Sequence, residues 1–177
     1  SLNEFMTLDA STRRNLELDE TLRGERKGSL LGTLDYSITP MGKRLMHQWV
    51  SQPLLHVEKI NKRQDGVQYF FNNGMVRAEL RETLKPLNDL ERLINRVIAG
   101  NAQPRDLVAM RSTLGYLPKI KAVISQPVSG ISGQWTVCEE QYSLLQNAID
   151  DDPPATLQNT GVIKPGYSAE LDGVIEA

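Results

Sequence analysis

The chain has 177 residues, 40% hydrophobic, 24% charged and 6% aromatic, a size that suits one domain or two small ones and a composition unlike that of a disordered chain. A formal net charge of -2, from 20 basic and 22 acidic residues, argues against a generic nucleic-acid sponge, and the single Cys138 excludes an internal disulfide framework or a multi-cysteine zinc site. No run approaches the roughly 18–20 continuous apolar residues of a membrane helix and no leader pattern is visible, so a reducing cytoplasm is the expected setting.

Charge is unevenly placed. Residues 1–122 carry 19 Lys/Arg and 14 Asp/Glu, whereas residues 123–177 carry one Lys and eight Asp/Glu. The first part tolerates nearby phosphates and the second repels them. Ser1-Leu2 reads as a non-native remnant or the start of an excised piece.

In chain order, Phe5 to Leu8 and Asn15 to Leu18 read as short strands flanking a turn at Asp9–Thr12. Thr39-Pro40 is a helix-start signal, followed by an apolar face of Met41, Leu45, Met46, Trp49 and Val50 that ends at Pro53. Val57, Ile60, Val67, Phe70 and Phe71 form the next stripe, up to Asn72-Asn73-Gly74, and Val76, Leu80 and Leu84 continue it. The clearest amphipathic helix holds Leu90, Leu93, Ile94, Val97 and Ile98 and closes at Gly100. Pro104 opens another, with Leu107, Met110, Leu114 and Leu117, which Pro118 is expected to break or bend. A Ser/Gly/Pro-rich loop at about 125–134 precedes a stripe of Cys138, Tyr142, Leu145 and Ile149. Asp150 to Pro154 reads as a turn and Val162-Ile163 as a short strand. Ser168 caps a final helix whose apolar residues are Leu171, Val174 and Ile175. Two turns of helix are marginal alone, so the chain is expected to be a piece of something longer. The pattern predicts an all-α domain with a little β at its edges, its helices packed in antiparallel pairs over short loops.

Catalytic motifs are not found. Gly42-Lys43 has Ser37 where a phosphate-binding loop needs glycine and Arg44 where it needs Ser or Thr. His47 and His56 stand nine apart across Pro53, not at the four-residue spacing of a two-histidine metal site on one helix. Cys138 reads as a buried structural thiol, and Asp150-Asp151-Asp152 as a solvated turn without a calcium loop's glycine and oxygen spacing. Trp49, Phe70 and Phe71 are expected to be core aromatics rather than base-stacking platforms. The basic residues cluster early, and Arg13, Arg14, Lys43 and Arg44 are candidates for contact with DNA phosphates. Acids at 17, 19, 20, 25, 58 and 65 dilute that field, and a solvated surface or salt bridges to neighbouring domains explain the same residues.

Specific runs go further. Met6-Thr7-Leu8-Asp9-Ala10-Ser11-Thr12-Arg13-Arg14-Asn15-Leu16-Glu17-Leu18 resembles the opening of the core, or lever, domain of the MutS family of DNA mismatch-repair ATPases. Gly28-Ser29-Leu30-Leu31, Leu34 to Leu45, Trp49, Gln52-Pro53-Leu54, Ile60 and Arg63-Gln64-Asp65 are similar to the segments that follow there. Asp89-Leu90-Glu91-Arg92-Leu93, Pro104-Arg105-Asp106-Leu107, Gly161-Val162-Ile163, Gly166-Tyr167 and Glu170-Leu171-Asp172 continue the resemblance in order, over about residues 5–176. The resemblance implies one core/lever domain over 1–177, with 168–177 starting a long helix toward a clamp domain. It further implies a non-catalytic connector that relays motion between an ATPase domain and the DNA-gripping parts. ATP and magnesium then bind in a domain outside this chain, mismatched double-stranded DNA is met through the longer protein, and that protein is a homodimer. A helical protein-interaction module unrelated to repair is the alternative; it requires an exposed apolar patch, whereas the stripes are expected to face a core.

Overall fold

The chain writes most of its helix starts as capping residues. In the computed structural model, which describes residues 4–124, 128 and 136–175, helix α1 (Ala10–Asn15) begins where the Asp9 carboxylate accepts a bond of 2.6 Å from Thr12 N. Helix α2 (Leu30–Leu34) is capped by Ser29 Oγ, 3.0 Å from Gly32 N. Helix α3 (Pro40–Ser51) is capped by Thr39 Oγ1, 3.0 Å from Gly42 N, with Pro40 at the position that lacks a hydrogen-bond partner for its N–H in any case. Helices α4 (Val57–Asn72) and α5 (Gly74–Leu84) follow, and α6 (Leu90–Ile98) is capped by Asp89 and closed by Gly100 at φ +69°. Helices α7 (Pro104–Val123), α8 (Glu139–Ala148) and α9 (Ala169–Ile175) complete the described set, α9 under the Ser168 hydroxyl.

The helical reading therefore holds from α3 to α9, and the edges differ. Asn15 to Leu18 is not a strand: the Asp9 cap draws Ala10–Asn15 into a helix, and the chain then reverses through Glu17 at φ +50°. Phe5 makes a single antiparallel bridge with Leu54, and Ile163 one with Ile149, so no sheet forms among the described residues. Helix α2 had no periodic signal because it is only five residues long. Pro118 does not break α7. It lies on an exposed face, and buried Leu114 and Ile120 anchor the helix on either side of it. Cys138 is half-buried, not buried, and stands in left-handed backbone just ahead of α8. The expected loop at 125–134 lies outside the described residues, apart from buried Val128, as does Ser1-Leu2.

Two compact units are present. The first comprises residues 1–85 and 124–134, the second 86–123 and 135–177. In the first, Leu18, Leu31 and Val50 form a core with Leu8 and Met46 against it. Leu30 N and Leu31 N donate to the carbonyls of Glu17 and Leu18, fixing the reversed chain beside α2. α2 packs on α3, and α4 on α5. In the second, α7 packs on both α6 and α8. There the Tyr142 ring lies against Gly115, where a Cβ would stand 3.2 Å from it. Thr113 Oγ1 accepts from Asn88 N at 3.1 Å and donates to the Ala109 carbonyl at 2.9 Å.

Two glycines in helices make opposite predictions. A Cβ at Gly32 would sit 2.0 Å from the Arg26 carbonyl oxygen, so Gly32→Ala is expected to destabilise by about 1–3 kcal/mol despite alanine's better helix propensity. Gly173 has open space around it, and Gly173→Ala should stabilise α9 by about 0.5–1 kcal/mol. Urea denaturation for the first and helical circular dichroism for the second check these signs.

Candidate interaction surfaces

Arg13 leaves α1 toward Asp19. Its guanidinium pairs with Asp19 Oδ2 and lies 3.5 Å from Ser51 Oγ. Ser51, buried at the end of α3, donates to Asp19 Oδ1 at 3.0 Å, and His47 Nε2 stands 3.6 Å from the same oxygen. The Asp19 carbonyl accepts from fully buried Ser29 Oγ at 3.0 Å. Asp19 thus holds α1, the α2 cap and α3 at one point. Partial burial pushes its carboxyl pKa up, but the hydrogen bonds from Arg13 and Ser51 and the charges of Arg13 and His47 outweigh this, so it lies below the ordinary value.

The four basic candidates divide accordingly. Arg13 and Arg14 line a concavity of about 640 Å³ with His47, but Asp19 and Glu20 line it too, so its field is mixed. Lys43 and Arg44 are exposed on α3. Lys43 acts on Asp35, which pairs with Arg26 and accepts from Ser37 N at 3.0 Å. Burial raises the Asp35 pKa, and the Ser37 hydrogen bonds with the Arg26 and Lys43 charges carry it below the ordinary value.

The apolar faces of α3, α4 and α5 do not close on one another as the stripes led one to expect. They leave a groove of about 570 Å³. Its walls include Met46 and Trp49 of α3, Val67, Phe70 and Phe71 of α4, and Leu80 of α5, with buried Gly66 on the α4 wall. Val67 and Phe71 are 66% and 75% exposed, so Phe71 is not a core aromatic, and Trp49 and Phe70 are half-buried. Arg63 lies over the Trp49 ring with its guanidinium carbon 3.9 Å from the centroid. Arg77 donates to the Phe70 carbonyl at 2.5 Å and Arg81 to the Tyr36 carbonyl at 3.0 Å. Periodicity had identified the stripe but not what it meets.

In the second unit, the buried Arg111 donates to the Ile149 carbonyl at 2.8 Å and pairs with Asp151 at 2.9 Å. Lys164 donates to the Gln146 carbonyl at 2.9 Å and stands 3.4 Å from the same Asp151 carboxylate. The acidic turn is thereby tied into the body instead of merely solvated. No group of three or more His, Cys, Asp or Glu able to hold a metal occurs among the described residues.

Residues 11–176 match the family described as MutS domain III. The chain is similar to the DNA mismatch repair protein MutS of Alkaliphilus oremlandii (strain OhILAs), at 42% identity over 97% of this chain and 20% of that protein. Its counterpart in Halothermothrix orenii is 41% identical over all of this chain and 20% of its own length. That of Methanothrix thermoacetophila is 39% identical over all of this chain and 22% of its own length. The chain spans about a fifth of the length of the curated relatives it matches.

Because folding lowers the Asp19 pKa, its stabilisation is full above the unfolded value of about 3.9 and is lost as pH falls through the folded value. Asp19→Asn should therefore lower the melting temperature at pH 7, and the gap to the parent chain should narrow steadily below about pH 4. Thermal melts from pH 7 to pH 2.5 check it; a gap independent of pH contradicts the assignment.

Proposed function

Because this chain belongs to the MutS domain III family, we propose that it is a non-catalytic lever of a longer DNA mismatch-repair polypeptide. It relays conformational change between an ATPase domain and the domains that read the mismatch and clamp the DNA. The observation that carries this reading is the family match over residues 11–176, joined to relatives named DNA mismatch repair protein MutS at about 40% identity. Mismatched double-stranded DNA is met through that longer protein, acting as a homodimer in the cytoplasm. ATP and magnesium bind outside this chain. Residues 168–177 are proposed to lead toward the clamp; they hold α9 (Ala169–Ile175), and the last two lie outside the described residues.

The physics supports a mechanical role. Coupling between distant sites requires elements whose arrangement both sites bias. Packed interiors pass displacement on because they deform little. Each unit has such an interior, pinned by a polar group: Asp19 in the first and Arg111 in the second. Arg13, Arg14, Lys43 and Arg44 are the proposed contacts to DNA phosphates, with Arg13 shared between that role and its pair with Asp19.

Leu93, buried in α6, is the position at which to test the relay. Leu93→Ala in the longer polypeptide should uncouple ATP binding from DNA release while ATP affinity and DNA affinity, measured separately, stay within about twofold. Stopped-flow release of labelled duplex on mixing with ATP reads this; normal coupling in a folded variant overturns the lever reading. For the phosphate contacts, Arg14→Gln with Lys43→Gln should weaken binding to all duplexes alike. The salt dependence should flatten by about 0.9 in log–log slope for each phosphate no longer neutralised. An unchanged slope removes those two residues from the interface.

A further inference from the structure

We infer that the groove formed by α3, α4 and α5 seats an amphipathic helix with an apolar face and a carboxylate-bearing flank, contributed by another part of the longer polypeptide. This rests on the reading of the chain as one part of a longer MutS protein. Three features of the groove select that occupant. Its walls are largely apolar, and a patch containing Val67 and Phe71 at 66% and 75% exposure is the kind of surface that marks an interaction site. The spacing on α4 is that of a helix seam: Arg63, Gly66, Val67, Phe70 and Phe71 fall at i, i+3, i+4, i+7 and i+8. Such a seam, carried by exposed Val67 and Phe71 beside half-buried Phe70, presents ridges against which another helix packs.

The charge is the third feature. Arg63, Arg77 and Arg81 line the groove, and no carboxylate does among the described residues. Arg77 and Arg81 are oriented by backbone carbonyls, partners that fix the guanidinium without neutralising it, while Arg63 lies over the Trp49 ring and also feels the charge of Glu4, itself paired with Lys59. A helix with glutamates or aspartates beside its apolar face meets all three. A single-stranded nucleic acid fits less well. Base stacking needs free aromatic faces; Tyr36 and Phe71 offer them at 77% and 75% exposure, but Trp49 has one face covered by Arg63 and Phe70 is half-buried in a T-shaped contact with Tyr69, so only two of the four groove aromatics are open. The relatives are about five times as long as this chain, so the polypeptide offers the occupant without a separate partner.

Two measurements test the proposal. Val67→Cys in the groove and Met75→Cys outside it (89% exposed) are each introduced into the 177-residue chain and into the longer polypeptide. Maleimide reaction at each site is followed by peptide mass spectrometry. The thiol at position 67 should react at least tenfold more slowly in the longer polypeptide, and the thiol at 75 at the same rate in both. Equal rates at 67, or equal slowing at both sites, overturn the proposal, while the ATP–DNA coupling experiment still decides the lever reading on its own. In the second measurement, two 16-residue peptides share four leucines at helical spacing, one flanked by glutamates and the other by lysines. The glutamate peptide should protect position 67 of the 177-residue chain at a concentration at least tenfold lower than the lysine peptide. Equal protection, no protection by either, or protection by fifteen-nucleotide oligothymidine in their place overturns it.

Discussion

The carboxylate of Asp19 is the point on which the first unit turns. One oxygen takes the Arg13 guanidinium from α1, the other takes the Ser51 hydroxyl from the end of α3, and the backbone carbonyl takes the Ser29 hydroxyl that caps α2. Helices of five and six residues such as α2 and α1 are far too short to hold themselves in water. They persist because this node fixes their ends while neighbouring Leu18 closes onto Leu31 and Val50. A partly shielded, multiply bonded carboxylate contributes more than an exposed surface pair, which is worth about 0–1 kcal/mol. Without the node, the apolar contacts beneath it would lose their register.

The second unit solves the same problem with the opposite charge. Arg111 is buried on α7, and a buried guanidinium is tolerated only where its donors are used. The Ile149 carbonyl and the Asp151 carboxylate use them, and the bridge between Ile149 and Ile163 brings Lys164 to the same turn. In both units a small apolar core is therefore given one arrangement by a polar centre that satisfies few alternatives. That is the property a relay requires, since a body with many near-equal packings would dissipate a displacement. The same logic separates the basic residues: those that complete polar centres, such as Arg13 and Arg111, hold the fold, while Arg14 and Lys43 stand exposed.

What could be read from the chain divides along the range of the interactions involved. Thr39-Pro40, Gly100 and Ser168 announce helix ends through local backbone and capping geometry, and those helices stand where they were expected, the Asp89 cap of α6 being added by the structure. Asp9 is a cap of the same kind, yet Asn15 to Leu18 read as a strand, and the local bond won over Ala10–Asn15. The Asp19 node joins positions 38 and 32 residues apart in its links from Ser51 to Arg13 and to Asp19, so no window of sequence contains it. The groove was hidden for a different reason. Periodicity reports that Val67, Phe70 and Phe71 share a face, but a face covered by its own chain and one left for another have the same period. Only the exposures tell them apart.

The proposal that most needs testing is that this chain transmits and does not itself read DNA sequence or damage. The most direct test is fluorescence anisotropy of the 177-residue chain with labelled matched and mismatched duplexes of equal length, titrated at several salt concentrations. The account predicts the same binding curve for both duplexes at every salt, with affinity falling steeply as salt rises. A curve that favours the mismatched duplex would contradict it, because recognition would then reside in residues assigned here to structure and transmission.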